Sequence, residues 1–198
     1  MTKTKKIGNT EKIVLLALMT AMVAVLAYFG GFIKIGGFAS ISLTLIPVVI
    51  GASICGPWAG AWLGGVSGII FFITPDAAFW LGLSIPGTII TVMVKGIAAG
   101  LCAGLVYKLL EKQNTFIAVA ASAIICPIVN TGLFLVGCLI FFMDTVNAGA
   151  IAEGMSVGSY LIIFFVGLNF IFELIANIVV SPGIVRIIEI ADQKLTKK

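Results

Sequence analysis

The sequence contains no histidine and few charged residues. Eight acidic and twelve basic side chains make up 10% of its 198 residues, whereas 61% are hydrophobic. Soluble domains carry about 25% charged residues. A water-exposed globule of this size needs more polar surface than these side chains supply, so the composition predicts an integral membrane protein.

The missing residue types also exclude several kinds of active site. Ser-His-Asp and Cys-His nucleophilic systems, HExxH zinc sites and imidazole proton relays all need histidine. No GxxxxGK[ST] loop is present, so the chain has no P-loop for ATP. The cysteines lack CxxC spacing and favour packing roles over a metal or disulfide framework: Cys55, Cys102, Cys126 and Cys138. We therefore expect no catalytic residue, metal, cofactor or nucleic-acid partner.

Six apolar stretches are candidates for membrane crossings, each of which needs about 20 residues. They cover residues 13–32, 43–54, 58–73, 85–110, 115–143 and 160–188, between a polar arm at 1–12 and a tail at 189–198. The second stretch is short and contains Pro47. The sequence predicts an all-α single membrane domain, a six-transmembrane-helix bundle with a short second helix. Four crossings remain open if the second and third stretches form one re-entrant hairpin.

The positions of the basic residues predict the orientation, because Lys and Arg concentrate on the cytoplasmic side. With an inside N-terminus and six spans, ten of the twelve basic residues lie in inner segments. Lys34 alone falls in an outer loop, and Lys95 lies within a span. We therefore expect both termini in the cytoplasm. A cleaved signal peptide formed by residues 1–28 would leave an odd number of spans, which this charge pattern disfavours.

Small residues recur at four-residue spacing in three of the stretches. Such spacing lets helix backbones approach closely in lipid, where hiding apolar faces gains nothing. The third and fourth stretches carry glycines, for which we expect internal packing: Gly60, Gly64 and Gly68, then Gly96, Gly100 and Gly104. Ala17 and Ala21 form the same pattern in the first stretch, which suits contact with a separate membrane protein equally well.

Two ionisable residues lie at depth, and such residues are costly in a bilayer and usually functional. They are Lys95 in the fourth stretch and Glu173 in the sixth. Other polar side chains lie at similar depth: Asn169 and Asn177 on the helix face of Glu173, and Asn130 and Thr131 in the fifth stretch. These residues predict a polar pocket between the last three spans. The alternative is a buried Lys95–Glu173 ion pair, with the asparagines as hydrogen bonds between helices.

The predicted outer loops have features of a cover for this pocket. Residues 30–44 contain two glycine pairs, at 30–31 and at Gly36 and Gly37. An Ile-Ser-Leu-Thr stretch, which can adopt an extended conformation, follows them. Trp80 ends an aromatic loop at 74–80, and a third loop at 144–158 is rich in Gly and Ala. We expect Gly36 and Gly37 to act as hinges and Trp80 to cover the ligand. Ordinary connecting loops remain the alternative.

The segment Ile46-Pro-Val-Val-Ile-Gly-Ala52, followed by Gly56-Pro-Trp-Ala-Gly-Ala61, resembles the second-to-third helix segment of a known family. That family is the substrate-binding S component of energy-coupling factor (ECF) vitamin transporters. The Ala17-Leu-Met-Thr-Ala21 motif, the length and the predicted topology are also similar to it. The resemblance covers nearly the whole chain.

This resemblance implies a subunit of the cell membrane that is not an enzyme. It would bind a water-soluble vitamin or precursor at the outer face and deliver it through a transmembrane coupling subunit driven by two ATPase subunits. Ala17 and Ala21 would form the docking face, and the loops near Gly36 and Trp80 would gate the pocket. The family's ligand residues lie on the outer halves of the fourth to sixth helices and in the first loop.

Two vitamins fit the polar residues. Lys95 suits a carboxylate while Asn130, Asn169 and Glu173 suit hydroxyl or amide groups, which favours pantothenate. Riboflavin is the other candidate, with its ring stacked on aromatic loop residues. A different function class also remains open, namely a self-sufficient secondary transporter or channel that uses Glu173 as an ion or proton site.

Overall fold

Helices make up almost all of the computed structural model, which describes residues 9–30 and 43–196. No strand occurs within these two ranges. All six apolar stretches are mainly helical where they are described. In chain order the elements are α1 (Asn9–Gly30), α2 (Leu45–Cys55), α3 (Pro57–Phe71), α4 (Pro75–Leu83), α5 (Ile85–Leu110), α6 (Thr115–Phe141), α7 (Met143–Ala152), α8 (Val157–Tyr160), a π-helical segment (Leu161–Val166) and α9 (Gly167–Thr196).

Several of these helices can cross a membrane, so the chain is an integral membrane protein. By length and composition, α1, α5 and α6 each qualify alone. Two further spans come from bent helix pairs if each pair is one span: α3 with α4, bent by 84°, and α7 with the segment at Val157–Ile163, bent by 95°. Helix α2 is apolar but has only 11 residues. The six-span count and the cytoplasmic termini stay predictions.

Helices α4 and α7 occupy two segments that the sequence predicts to be loops, so the prediction of loop structure there was wrong. Pro75 begins α4, at a helix position whose backbone N–H needs no partner. The short helices carry apolar side chains that pack together at one end of the bundle. We call this group the cap cluster: Trp80, Cys138, Phe142, Val146, Ala150, Tyr160 and Leu161. Trp80 therefore lies on a packed helix and not in a loop.

A single glycine, Gly56, separates α2 from α3. Gly56 has a φ of 102°, a left-handed conformation that residues with a side chain rarely adopt. Pro57 then begins α3. This one-residue break holds α2 beside α3 and next to α5 and α6, with which it also packs. Short as it is, α2 therefore lies at the centre of the larger hydrophobic core.

Helices α3 and α5 meet along their glycines, which confirms the predicted close packing. A Cβ atom on Gly60 would collide with the backbone oxygen of Gly100, and one on Gly64 would collide with that of Gly96. Likewise, a Cβ atom on Gly100 would collide with the backbone oxygen of Gly60, and one on Gly96 with that of Gly64. A Cβ on Gly104 would come within 2.5 Å of Pro57 Cα. The two backbones are in direct contact along this glycine seam, and part of the seam lines a cavity.

The sixth stretch is broken, whereas the sequence predicts one continuous helix. Its first part is π-helical and ends at Gly167, whose N–H bonds to the oxygen of Ile162, five residues earlier. Gly167 has a φ of 15° and a ψ of −140°, so the helix direction is interrupted there. Farther along, Pro182 lacks the N–H that would reach Ile178. The Ser181 hydroxyl donates to that carbonyl instead, at 2.7 Å.

Candidate functional site

A partly open cavity of about 60 Å³ lies at one end of the bundle. Helix α1 ends there, α2 begins, α3 ends, and α5 and α6 pass alongside. Most of its wall is apolar or glycine, including Gly68 and the seam residues Gly64 and Gly96. Five polar residues line it: Thr44, Ser67, Thr74, Lys95 and Asn130. An apolar cavity with a few polar groups is the usual form of a small-molecule site.

Lys95 brings a positive charge to this cavity from α5. Its Nζ lies 4.7 Å from the centre of the Phe134 ring, in a cation–π contact. Glu173 is close enough to attract the same charge. Both interpretations of Lys95 and Glu173 require this proximity. One is an ion pair that joins α5 to α9, and the other is a charged site for a ligand. Aromatic ring and carboxylate together stabilise an ammonium that is otherwise surrounded by apolar helices.

Phe134 also links the cavity to the cap cluster. Its ring packs edge to face on Trp80, with 5.3 Å between the ring centres, and Trp80 packs in turn on Phe142 at 5.2 Å. Sequence reasoning missed Phe134 because aromatic residues are common in apolar helices. One signal was available: Phe134 follows Asn130 by four residues and so shares its helix face.

Asn130 presents its amide to the cavity from α6. The residue is 7% exposed, and its side chain forms no hydrogen bond with any residue in the described part of the chain. A buried amide without a protein partner is costly, since it can donate two protons and accept others. Its groups are therefore available to a ligand or to water.

The hydroxyl residues of the cavity were missed by sequence reasoning. The Ser67 hydroxyl donates to Thr44 Oγ1 at 3.2 Å, which joins α3 to the start of α2. Thr74 donates to the Phe71 carbonyl at 2.7 Å and closes the turn before α4. Single hydroxyls in apolar stretches follow no spacing rule. Nothing in the sequence indicates that Thr44 and Ser67 meet.

Of the predicted site residues that the structure describes, Lys95 and Asn130 line the cavity together, whereas Glu173, Thr131 and Trp80 are not in its lining. Glu173 is 6% exposed on α9, and its backbone carbonyl accepts a hydrogen bond from Asn177 Nδ2 at 2.8 Å. Thr131 is half-buried outside the lining. Trp80 is buried in the cap cluster. Asn169 lies on α9, but its side chain and both Gly36 and Gly37 fall outside the described residues.

Ala17 and Ala21 lie on the outside of α1. Both are exposed, whereas Met19 and Val23 on the other side of the helix are buried against the bundle. Helix α1 packs mainly on α2 and α3. The alanine pair is therefore directed away from the helices that α1 packs on, toward lipid or another membrane protein.

Residues 11–185 match a family model described as "ECF transporter, substrate-specific component". No curated protein and no solved structure gave a significant match. The matched range includes the cavity, the glycine seam and the exposed alanines.

Proposed function

The chain belongs to the family of substrate-specific components of ECF transporters, and on that premise we propose that it captures a water-soluble vitamin or vitamin precursor for uptake. Members of this family are substrate-binding subunits of membrane transporters and are not themselves enzymes. They associate with membrane coupling and ATPase subunits. In this chain, we propose particular residues for the ligand site, for the gate and for the docking face.

The observation that carries the proposal is a set of polar groups around one cavity in an apolar bundle. Lys95 supplies a positive charge and Asn130 an unpartnered amide. Placing such groups among apolar helices costs free energy, and they persist where function needs them. The predicted topology assigns this end of the bundle to the outer face, where a binding subunit meets its ligand.

Pantothenate fits these groups better than riboflavin. Its carboxylate suits Lys95, and its amide and hydroxyls suit Asn130 and the hydroxyl residues of the wall. Stacking a flavin ring on Trp80 would require the cap cluster to open, because Trp80 is only 6% exposed. Asn169, Glu173 and Thr131 remain candidates for the polar groups of the ligand once the cavity widens.

The cavity must widen before a vitamin can enter. Its volume of about 60 Å³ is well below the roughly 300–1,000 Å³ of typical ligand pockets. Gly30 and Ala27, near the end of α1, form part of its wall. We propose that movement of this end of α1, with Gly36 and Gly37 as hinges, opens the cavity.

We assign the docking of a transmembrane coupling subunit to Ala17 and Ala21. Both side chains are small and exposed, so a partner helix can approach the backbone of α1 closely. Two ATPase subunits would drive the transport cycle. This chain has no P-loop of its own and would depend on them for energy.

The most direct test is mass spectrometry of the small molecule that copurifies with the chain, followed by binding of pantothenate to the purified protein. Pantothenate in the extract and saturable binding would support the assignment. A yellow, fluorescent flavin in the extract would contradict it.

Uptake measurements separate the proposal from the secondary-transporter alternative. Vesicles that contain only this chain should take up no pantothenate, whereas vesicles that also contain the coupling and ATPase subunits should do so with ATP. Uptake by the chain alone, abolished when the proton gradient is collapsed, would instead support transport through Glu173.

A further inference from the structure

The hydroxyls of Thr44 and Ser67 bond to each other between helices, unlike several other hydroxyls of the bundle. Ser and Thr in apolar helices usually donate to the carbonyl one turn earlier, which satisfies the hydroxyl within its own helix. Thr20, Thr88 and Ser122 all do this, with donor–acceptor distances of 2.7 to 2.8 Å. Ser67 instead donates across to Thr44 on another helix. The pair is therefore held between helices, at the cavity wall.

Thr44 also departs from the usual role of a threonine at the start of a helix. It occupies the N-cap position of α2, where a side-chain oxygen normally accepts a hydrogen bond from the first turn. Here the side chain makes no capping bond. Its oxygen accepts the proton of Ser67, and its own proton has no acceptor among the described residues. Thr44 is only 4% exposed, so this donor is buried and available.

We propose that Thr44 and Ser67 form a second subsite, which binds a hydroxyl group of the ligand whose anionic group lies at Lys95. This inference rests on the proposed function. The Thr44 proton is donated to the ligand oxygen, and the Ser67 oxygen accepts the ligand's hydroxyl proton. A pair that donates and accepts at once matches a hydroxyl, which does the same.

The subsite places part of the recognition on α2 and α3. The sequence predicts ligand residues on the last three spans and in the outer loops, yet the cavity also has α1, α2 and α3 in its wall. A ligand held at Lys95 and at the hydroxyl pair connects α5 to both α2 and α3. Residues in the first half of the chain then recognise the hydroxylated part of the ligand, and Lys95 in the second half recognises its negative charge.

Selectivity follows from the chemistry of the pair. A site that hydrogen-bonds a ligand hydroxyl rejects the analogue that lacks it, because its own polar groups are then left buried and unpaired. A merely apolar wall would not discriminate in this way. The subsite therefore predicts preference for hydroxylated acids over their deoxy analogues of the same shape.

The test compares two probes by calorimetry on the purified full chain. One is pantothenate and the other is its dideoxy analogue, which keeps the carboxylate and amide but lacks both hydroxyls. Thr44→Val removes the hydroxyl at nearly constant shape and should weaken pantothenate binding about tenfold, the scale of one lost buried hydrogen bond. Binding of the dideoxy analogue should change less than about twofold, because it makes no hydrogen bond to lose.

Three further variants complete the design. Thr44→Ser keeps the hydroxyl and should restore most of the affinity for pantothenate. Ser67→Ala should weaken pantothenate selectively, as Thr44→Val does, and gives an independent measurement if that variant is produced poorly. Ser122→Ala removes a buried hydroxyl that bonds to Ala103 and Ala118, away from the cavity, and should leave both affinities unchanged.

The outcomes distinguish the subsite from the function on which it rests. Wild-type binding of pantothenate, combined with equal losses for both probes in Thr44→Val and Ser67→Ala, would overturn the subsite and leave the proposed function standing. No binding of pantothenate by the unaltered chain would overturn the pantothenate assignment together with the subsite.

Discussion

The ammonium nitrogen of Lys95 lies 4.7 Å from the centre of the Phe134 ring, so the charge at the cavity faces an aromatic surface on the neighbouring helix. The same ring contacts Trp80 of the cap cluster. A ligand carboxylate that attracts Lys95 would change its position over Phe134. Binding at the cavity and packing of the cap cluster are thus connected through one phenylalanine.

Replacing Lys95 should show whether the cavity recognises a negative charge. We expect Lys95→Met to weaken pantothenate binding by about 10-fold to 100-fold, since hydrogen bonds to charged groups contribute about 1.5–3 kcal/mol. Binding of pantothenol, which has an alcohol in place of the carboxylate, should change little. Lys108→Met alters an exposed lysine near the other end of α5 and is the matched control. An equal loss of affinity for pantothenate and pantothenol would indicate that Lys95 has only a structural role.

Phe134→Leu should release Lys95 from its aromatic contact. The substitution removes a cation–π interaction of about 0.5–2 kcal/mol and the ring contact with Trp80. We expect a lower unfolding temperature in detergent and weaker binding of pantothenate. Phe116→Leu changes an exposed phenylalanine of the same helix and should do neither. The same unfolding temperature and affinity for both variants would show that the Phe134 ring has no such role.

Enlarging the alanines of α1 should separate docking from binding. Ala17→Phe or Ala21→Phe should leave the affinity for pantothenate intact but abolish copurification with the coupling subunit and ATP-driven uptake, because the partner backbone can no longer approach. Leu18→Phe, at a neighbouring exposed position on the same helix, is the control and should retain both activities. Loss of ligand binding by a normally assembled Ala17→Phe protein would refute the docking assignment.

The glycine seam should tolerate no side chain. Gly64→Ala places a methyl group against the backbone oxygen of Gly96, and such overpacking typically costs about 1–3 kcal/mol. Gly132→Ala, on α6, meets nothing within 4 Å and should be neutral or stabilising, since alanine favours helix by about 1 kcal/mol. Thermal unfolding in detergent measures both. A Gly64→Ala protein as stable as Gly132→Ala would contradict the backbone contact.

Much of the helical framework can be predicted from the sequence, because apolar stretches and the positions of glycines between and within them depend only on local sequence. The fourth stretch, residues 85–110, coincides with α5, and the glycines of α3 and α5 meet as their spacing predicts. The segments at 75–83 and 143–152 were predicted as loops. Their helices are stabilised by packing in the cap cluster, which a local pattern does not contain.

Of the candidate site, the sequence predicted only the residues whose burial among apolar helices costs the most free energy. Lys95 is conspicuous because a charge in an apolar helix is rare, and Asn130 lies at a matching depth. Thr44, Ser67 and Phe134 belong to residue types that occur throughout apolar helices. Their roles depend on which neighbour each one meets.

By itself, the sequence determined that this protein resides in a membrane, that the six apolar stretches are mainly helical and that Lys95 lies within one of them, because these follow from the order of polar and apolar residues along the chain. Only the tertiary structure decided that α1, α2 and α3 form part of the cavity wall, and that Ser67 meets Thr44 and Lys95 meets Phe134. Those contacts depend on how each helix is rotated about its axis and where it is bent. Both are set by packing between segments that are distant in the chain.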